Sequence, residues 1–81
     1  MKLIKMSASW CGPCKQLSKV MQEVDIPYEV QEVDIDQEPA LAQQYGIRGV
    51  PTLILLDDDG TIRRRTSGSM TKTKLEEWLR G

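Results

Sequence analysis

Trp10-Cys11-Gly12-Pro13-Cys14-Lys15 holds the only two cysteines of the chain, spaced one helical turn apart. The apolar run from Lys2 to Ser7 precedes it, and a helical pattern follows it. A C-x-x-C pair at such a strand-to-helix junction reads as a redox dithiol. At a helix N-terminus several backbone N–H groups lack intrahelical partners, and the summed peptide dipole presents partial positive charge. A thiolate at Cys11 sits in that field, with Lys15 adding positive charge nearby. Thiolate is the species that attacks a disulfide, so a depressed thiol pKa raises the reactive fraction near neutral pH. Pro13 falls in the first turn, where its missing N–H costs little, and Gly12 leaves the approach to Cys11 open. These arguments predict an exposed Cys11 sulfur that attacks. Cys14, on the same helical face, is the natural resolving thiol.

The elements on either side follow from periodicity and turn chemistry. Lys2–Ser7 reads as a strand, and residues 13–24 as a helix with Leu17, Val20, Met21 and Val24 forming its apolar stripe. Asp25-Ile26-Pro27 breaks that helix. Residues 28–35 are rich in β-formers and read as a second strand, parallel to the first through the crossover. Asp36 is the expected cap of a helix over residues 38–45, which has Pro39 in its first turn and Gly46 at its end. Thr52–Leu56 is a continuous apolar run suited to a strand buried on both faces. Asp58-Asp59-Gly60 signals a hairpin, residues 61–66 return antiparallel, and Thr71 caps a last helix carrying Leu75, Trp78 and Leu79. The expected order is βαβαββα: an α/β domain over residues 1–81, with a four-stranded mixed sheet flanked by helices.

Composition narrows the function classes. Eleven basic against twelve acidic residues give a net charge of −1, which argues against broad electrostatic affinity for nucleic acid or anionic membrane. No run approaches the ~20 apolar residues of a membrane span, and the first residues lack the apolar core of a signal peptide. The expectation is a cytoplasmic, monomeric protein. Two thiols and no histidine leave a tetrahedral zinc half-coordinated unless chains dimerise. Asp34, Asp36 and Asp57 to Asp59 lack the regular spacing of a calcium loop and read as caps and turn. Arg63-Arg64-Arg65 reads as pairing across the hairpin with the acidic run ahead of it, rather than as a phosphate site.

With these motifs in hand the chain resembles the thioredoxin family. The hexapeptide at residues 10–15 resembles the family's active-site motif at every position. Tyr45-Gly46-Ile47-Arg48-Gly49-Val50-Pro51-Thr52 resembles the segment that sets a cis proline against the dithiol, and Gly68 lies where the family keeps a glycine beside the substrate groove. The resemblance implies a minimal thioredoxin-like fold and a protein dithiol–disulfide oxidoreductase. In it Cys11 forms a mixed disulfide with a target protein and Cys14 resolves it. It also implies a cis Val50–Pro51 bond and a Val50 backbone that pairs with an incoming extended segment. The expected substrate surface comprises Trp10, Gly12, Pro13, Val50, Pro51 and Gly68. The redox-active Cys11–Cys14 disulfide is the only redox group implied, with no bound cofactor and no metal. The implied electron donor is a thioredoxin reductase drawing on NADPH, and ribonucleotide reductase and peroxiredoxins are among the implied targets.

Two departures from the family pattern matter. Only ten residues precede Cys11, so the family's additional first strand and helix have no counterpart here, and the chain is glutaredoxin-sized. The strand over residues 28–35 then falls at a sheet edge, where Glu29, Gln31, Glu32 and Asp34 discourage edge-to-edge pairing. A glutathione-linked, glutaredoxin-like activity is the nearest alternative, although that family carries a different dipeptide between its cysteines and a glycine-glycine segment where this chain has Gly68-Ser69-Met70. A second alternative is a binding subunit of a larger enzyme whose role does not depend on redox turnover. The other departure is one of charge. Lys5 stands where the family has a buried aspartate, and Glu32 aligns with a lysine of the neighbouring strand. Period-two geometry turns both toward the helix-covered side. The expectation is a Lys5–Glu32 pair beneath Cys14, with Glu32 accepting the Cys14 proton and the couple more oxidising than that of an aspartate-bearing relative.

Overall fold

A computed structural model describes residues 1–81. Its elements are β1 (Lys2–Ser7), α1 (Gly12–Gln22), β2 (Glu29–Asp34), α2 (Pro39–Gln44), β3 (Thr52–Leu56), β4 (Ile62–Ser67) and α3 (Lys72–Arg80), in the order the pattern predicts. The strands form one sheet in the order β2-β1-β3-β4. β1 and β2 run parallel, whereas β1–β3 and β3–β4 are antiparallel.

Alternation along β1 and β3 divides the core into two layers. Leu3, Leu53 and Leu55 face α1 and α3, where they meet Leu17, Leu75 and Leu79. Ile4, Met6, Ile54 and Leu56, with Val33 from β2, face the other way, and Leu41 of α2 packs on them with Tyr45 and Ile47. Burying each such side chain stabilises the fold by about 1.5–3 kcal/mol. Every residue of β3 is buried, as its unbroken apolar run requires of a strand covered on both faces. β2 lies at one edge of the sheet and β4 at the other.

Several local expectations shift. α1 stops at Gln22, with Glu23 as its C-cap, so Val24 packs on the core from outside the helix. Asp36 does not cap α2. The chain makes a turn after β2 in which the Gln37 and Glu38 amides both donate to the Asp34 carbonyl, at 3.1 and 2.9 Å. After that turn Glu38 takes the N-cap position, without a side-chain cap, and the helix runs Pro39–Gln44. Thr71 does cap α3, accepting from the Lys74 amide at 3.2 Å. At the hairpin Gly60 adopts φ +87° and donates to the Asp57 carbonyl, at 2.9 Å. Only the first of the three arginines pairs with the acidic run, Arg63 to Asp57 at 3.0 Å. Strand alternation and a bulge near Leu55/Leu56 send the others elsewhere. Arg64 lies over the Trp78 ring and donates to the Leu79 carbonyl, and Arg65 donates to the Tyr45 carbonyl.

Candidate active site

β1 points directly at the dithiol. Its last residue, Ser7, hands the chain to a short loop in which the Cys11 amide donates to the Ala8 carbonyl at 3.1 Å. Cys11 is the N-cap of α1, and its Sγ accepts the otherwise unpaired Cys14 amide at 3.1 Å. Gly12 and Pro13 complete the first turn. Cys11 and Cys14 are joined as a disulfide, with 5.3 Å between their Cα atoms.

Cys11 is not the exposed sulfur that helix-tip reasoning predicts. It is 4% exposed against 2% for Cys14, so the bridge as a whole is covered. Ala8 of the same loop packs with the two cysteines, and the rest of the cover comes from distant parts of the chain, Ile35 and Val50, with the Val50 carbonyl oxygen 3.7 Å from Cys11 Sγ. A reduced thiol at that distance can donate to it. The Val50–Pro51 peptide bond is cis. Thr52 Oγ1 donates to the Gly49 carbonyl at 2.8 Å, holding this loop in place. Gly68 comes beside it, with its amide donating to the Pro51 carbonyl at 2.8 Å and φ +92°, a region that favours glycine.

Trp10 is 67% exposed, which excludes a role as core filler. Its Nε1 donates to Asp36 Oδ2 at 2.8 Å, so the residue expected to cap α2 instead anchors the active-site tryptophan. Trp10, Gly12 and Pro13 are exposed around the bridge, and Val50 and Gly68 are partly so, while Pro51 is buried behind them. The residues are therefore gathered from three stretches of the sequence, 10–13, 50–51 and 68.

Beneath the bridge the structure brings Lys5 and Glu32 together. They are register partners across β1 and β2, and Lys5 Nζ lies 3.4 Å from Glu32 Oε1. The pair is lopsided, with the lysine side chain 3% exposed and the glutamate 62%. Both line a cleft of about 410 Å³ that Cys14, Lys15, Ser7 and Ser18 also line. Ser7 and Ser18 carry no motif and escape a reading of the sequence. The signals available for them are positional, since Ser7 follows Lys5 by two along β1 and Ser18 follows Cys14 by four along α1.

No group of three or more His, Cys, Asp or Glu side chains is arranged to hold a metal ion, and no helix is long and apolar enough to cross a membrane. The chemistry within reach is that of the dithiol itself, a two-electron exchange with another disulfide.

Comparison with known proteins agrees with that geometry. The thioredoxin family model matches residues 1–81. The chain is 37% identical over 76 residues to a thioredoxin of Rhodospirillum rubrum, covering 89% of this chain and 72% of that one. It is 40% identical over 80 residues to the SPbeta prophage-derived thioredoxin-like protein YosR of Bacillus subtilis, covering 99% and 96%. Among solved structures, a mutant thioredoxin from Halobacterium salinarum superposes with a TM-score of 0.86 at 35% identity, covering 96% of this chain and 70% of that one.

Proposed function

This chain belongs to the thioredoxin family and is a thiol–disulfide oxidoreductase, and on that premise we propose that it reduces target-protein disulfides through Cys11, with Cys14 releasing the product. The observation that carries this is the Cys11–Cys14 bridge at the N-terminus of α1, with the Val50 carbonyl 3.7 Å from Cys11 Sγ.

The reduced Cys11 thiolate attacks one sulfur of the target disulfide, forming a mixed disulfide and expelling the other target sulfur as a thiolate. Cys14, three residues on, loses its proton and attacks Cys11 Sγ, which re-forms the bridge and releases the second target sulfur. The target leaves with two more electrons, and the carrier is oxidised. An extended target segment lies over Trp10, Gly12 and Pro13 and pairs with the Val50 backbone beside Pro51 and Gly68, a short β-like recognition. Exposed Trp10 and the partly exposed Val50 and Gly68 support this surface. Glu32 accepts the Cys14 proton, and the buried Lys5 ammonium balances the charge of the carboxylate beforehand and that of the thiolate afterwards. Their 3.4 Å contact and shared cleft with Cys14 support that assignment.

Family members generally work with a thioredoxin reductase and with disulfide-bearing targets. For this chain the donor is a reductase supplied with NADPH, acting on a cytoplasmic monomer that carries no cofactor beyond its own disulfide. Insulin reduction tests chemistry and donor together. The reading predicts accelerated insulin precipitation with dithiothreitol and with reductase plus NADPH, and none after serine replaces both cysteines. Turnover sustained by glutathione alone contradicts the donor. Turnover retained by the double serine variant contradicts the chemistry.

A further inference from the structure

The cleft under Cys14 contains a continuous chain of hydrogen bonds drawn from three elements. Ser18 Oγ on α1 accepts from Lys5 Nζ, Lys5 Nζ approaches Glu32 Oε1 at 3.4 Å, and Ser7 Oγ donates to the same Glu32 oxygen at 3.2 Å. Lys5 and Ser7 are the two charged or hydroxyl side chains of β1 that are buried, at 2% and 7% exposure. Ser18 lies one turn beyond Cys14 on α1, so the ammonium it holds sits on the cysteine's own face of the helix. Glu32 is the exposed member, a long side chain on an edge strand, 62% exposed.

We propose that Ser7 and Ser18 are positioning residues for the second step of disulfide exchange: Ser7 keeps the Glu32 carboxylate turned into the cleft beside Cys14, and Ser18 keeps the Lys5 ammonium beneath it. This rests on Cys14 as the resolving thiol and deepens the assignment of Glu32 as its proton acceptor. The proton passes from Cys14 Sγ to Glu32 by way of water in the cleft. The resulting thiolate bonds to Cys11 Sγ as the bond from Cys11 to the target sulfur breaks, and the departing target thiolate takes a proton from solvent. The other charged groups around the cleft are Lys15 from α1, Asp34 from β2 and Glu38 ahead of α2. Asp34 Oδ1 is occupied by the Asp36 amide at 2.8 Å, and Glu38 makes no bond within the chain of Ser18, Lys5, Glu32 and Ser7. Of the three carboxylates, Glu32 alone accepts from both Ser7 and Lys5 in the cleft that Cys14 lines.

The reduced protein mixed with 5,5′-dithiobis(2-nitrobenzoate) separates the two steps, because one coloured thiolate leaves when Cys11 attacks and a second when Cys14 resolves. Ser7→Ala slows the second phase relative to the first by about tenfold near neutral pH, the scale of one lost hydrogen bond to a charged group. The gap narrows as the pH rises into the alkaline range, where hydroxide competes with Glu32 for the Cys14 proton. Ser7→Thr, which keeps the hydroxyl, restores the ratio, and Ser18→Ala gives a smaller loss of about threefold with the same pH dependence. A gap that persists at every pH, or that Ser7→Thr leaves unrepaired, overturns the positioning role. If Glu32→Gln slows the second phase and Ser7→Ala does not, the serines fall and Glu32 stands. If neither variant alters the ratio, the assignment of Glu32 falls with them.

Discussion

The inner pair of strands and the outer pair obey opposite rules. β1 and β3 are buried almost throughout and built from Leu, Ile and Met, whereas β2 and β4 carry Glu29, Glu32 and Arg63 to Arg65 and leave Val30 and Ile62 largely exposed. Inner strands gain stability from apolar contact on both faces, and outer strands keep the sheet from extending. Lys5 breaks the inner rule. It is the one fully buried charge in the molecule, set two residues before the strand reaches the dithiol loop. A charge in that position contributes little to folding, so its presence points to the chemistry above it.

The largest effect expected of this contrast is on stability. Leu53→Ala, at a residue 1% exposed, destabilises by about 2–5 kcal/mol in urea or guanidinium unfolding. Val30→Ala on the β2 edge costs about 1 kcal/mol or less, as surface changes do. Equal losses at the two sites would break the distinction between inner and outer strands.

Lys5→Met and Glu32→Gln sharpen it. Replacing a buried charge by an apolar side chain of similar length is often neutral or stabilising, so Lys5→Met keeps the melting temperature or raises it while making the couple more reducing. Glu32→Gln removes the only carboxylate beside the buried Lys5 ammonium and leaves it with Ser18, so it destabilises by about 3 kcal/mol. Redox equilibration against glutathione and thermal melting read both. A Lys5→Met protein that is both less stable and unchanged in redox equilibrium contradicts a functional charge.

The helices offer a similar pair. Thr71→Ala removes the cap of α3 and costs about 1 kcal/mol, whereas Glu38→Ala at the uncapped start of α2 costs a few tenths. The smallest effect belongs to the hairpin of β4. Hydrogen bonds from Thr61 hold the exposed Asp59 carboxyl below its ordinary value of 3.8. Stability from that ionised form is present above the unfolded value and is lost as pH falls through the folded one. Acid unfolding of wild type and Asp59→Asn therefore diverges only below about pH 4, and a divergence near neutral pH contradicts the cause.

Much of this was legible in the sequence because local chemistry decided it. The C-x-x-C junction, the β3 apolar run, Gly60 in its turn and Thr71 at its cap are all specified by neighbours within a few residues. The Lys5–Glu32 pair was legible through the two exchanged charges at the family's positions and through strand period, and the structure adds the register that sets them side by side. What escaped depends on distant closure. Cys11 looks exposed until the Val50 loop, 39 residues away, covers it. Asp36 looks like a cap until the indole of Trp10 claims it. Ser7 and Ser18 acquire meaning only when β1, β2 and α1 converge on one cleft, because a serine has no sequence signature of its own.

The central claim is the division of labour between the two sulfurs. Cys14→Ser, reacted with insulin and digested for mass spectrometry, should accumulate a stable mixed disulfide on Cys11. Failure to trap an adduct on Cys11, with continued turnover in the variant, would contradict it.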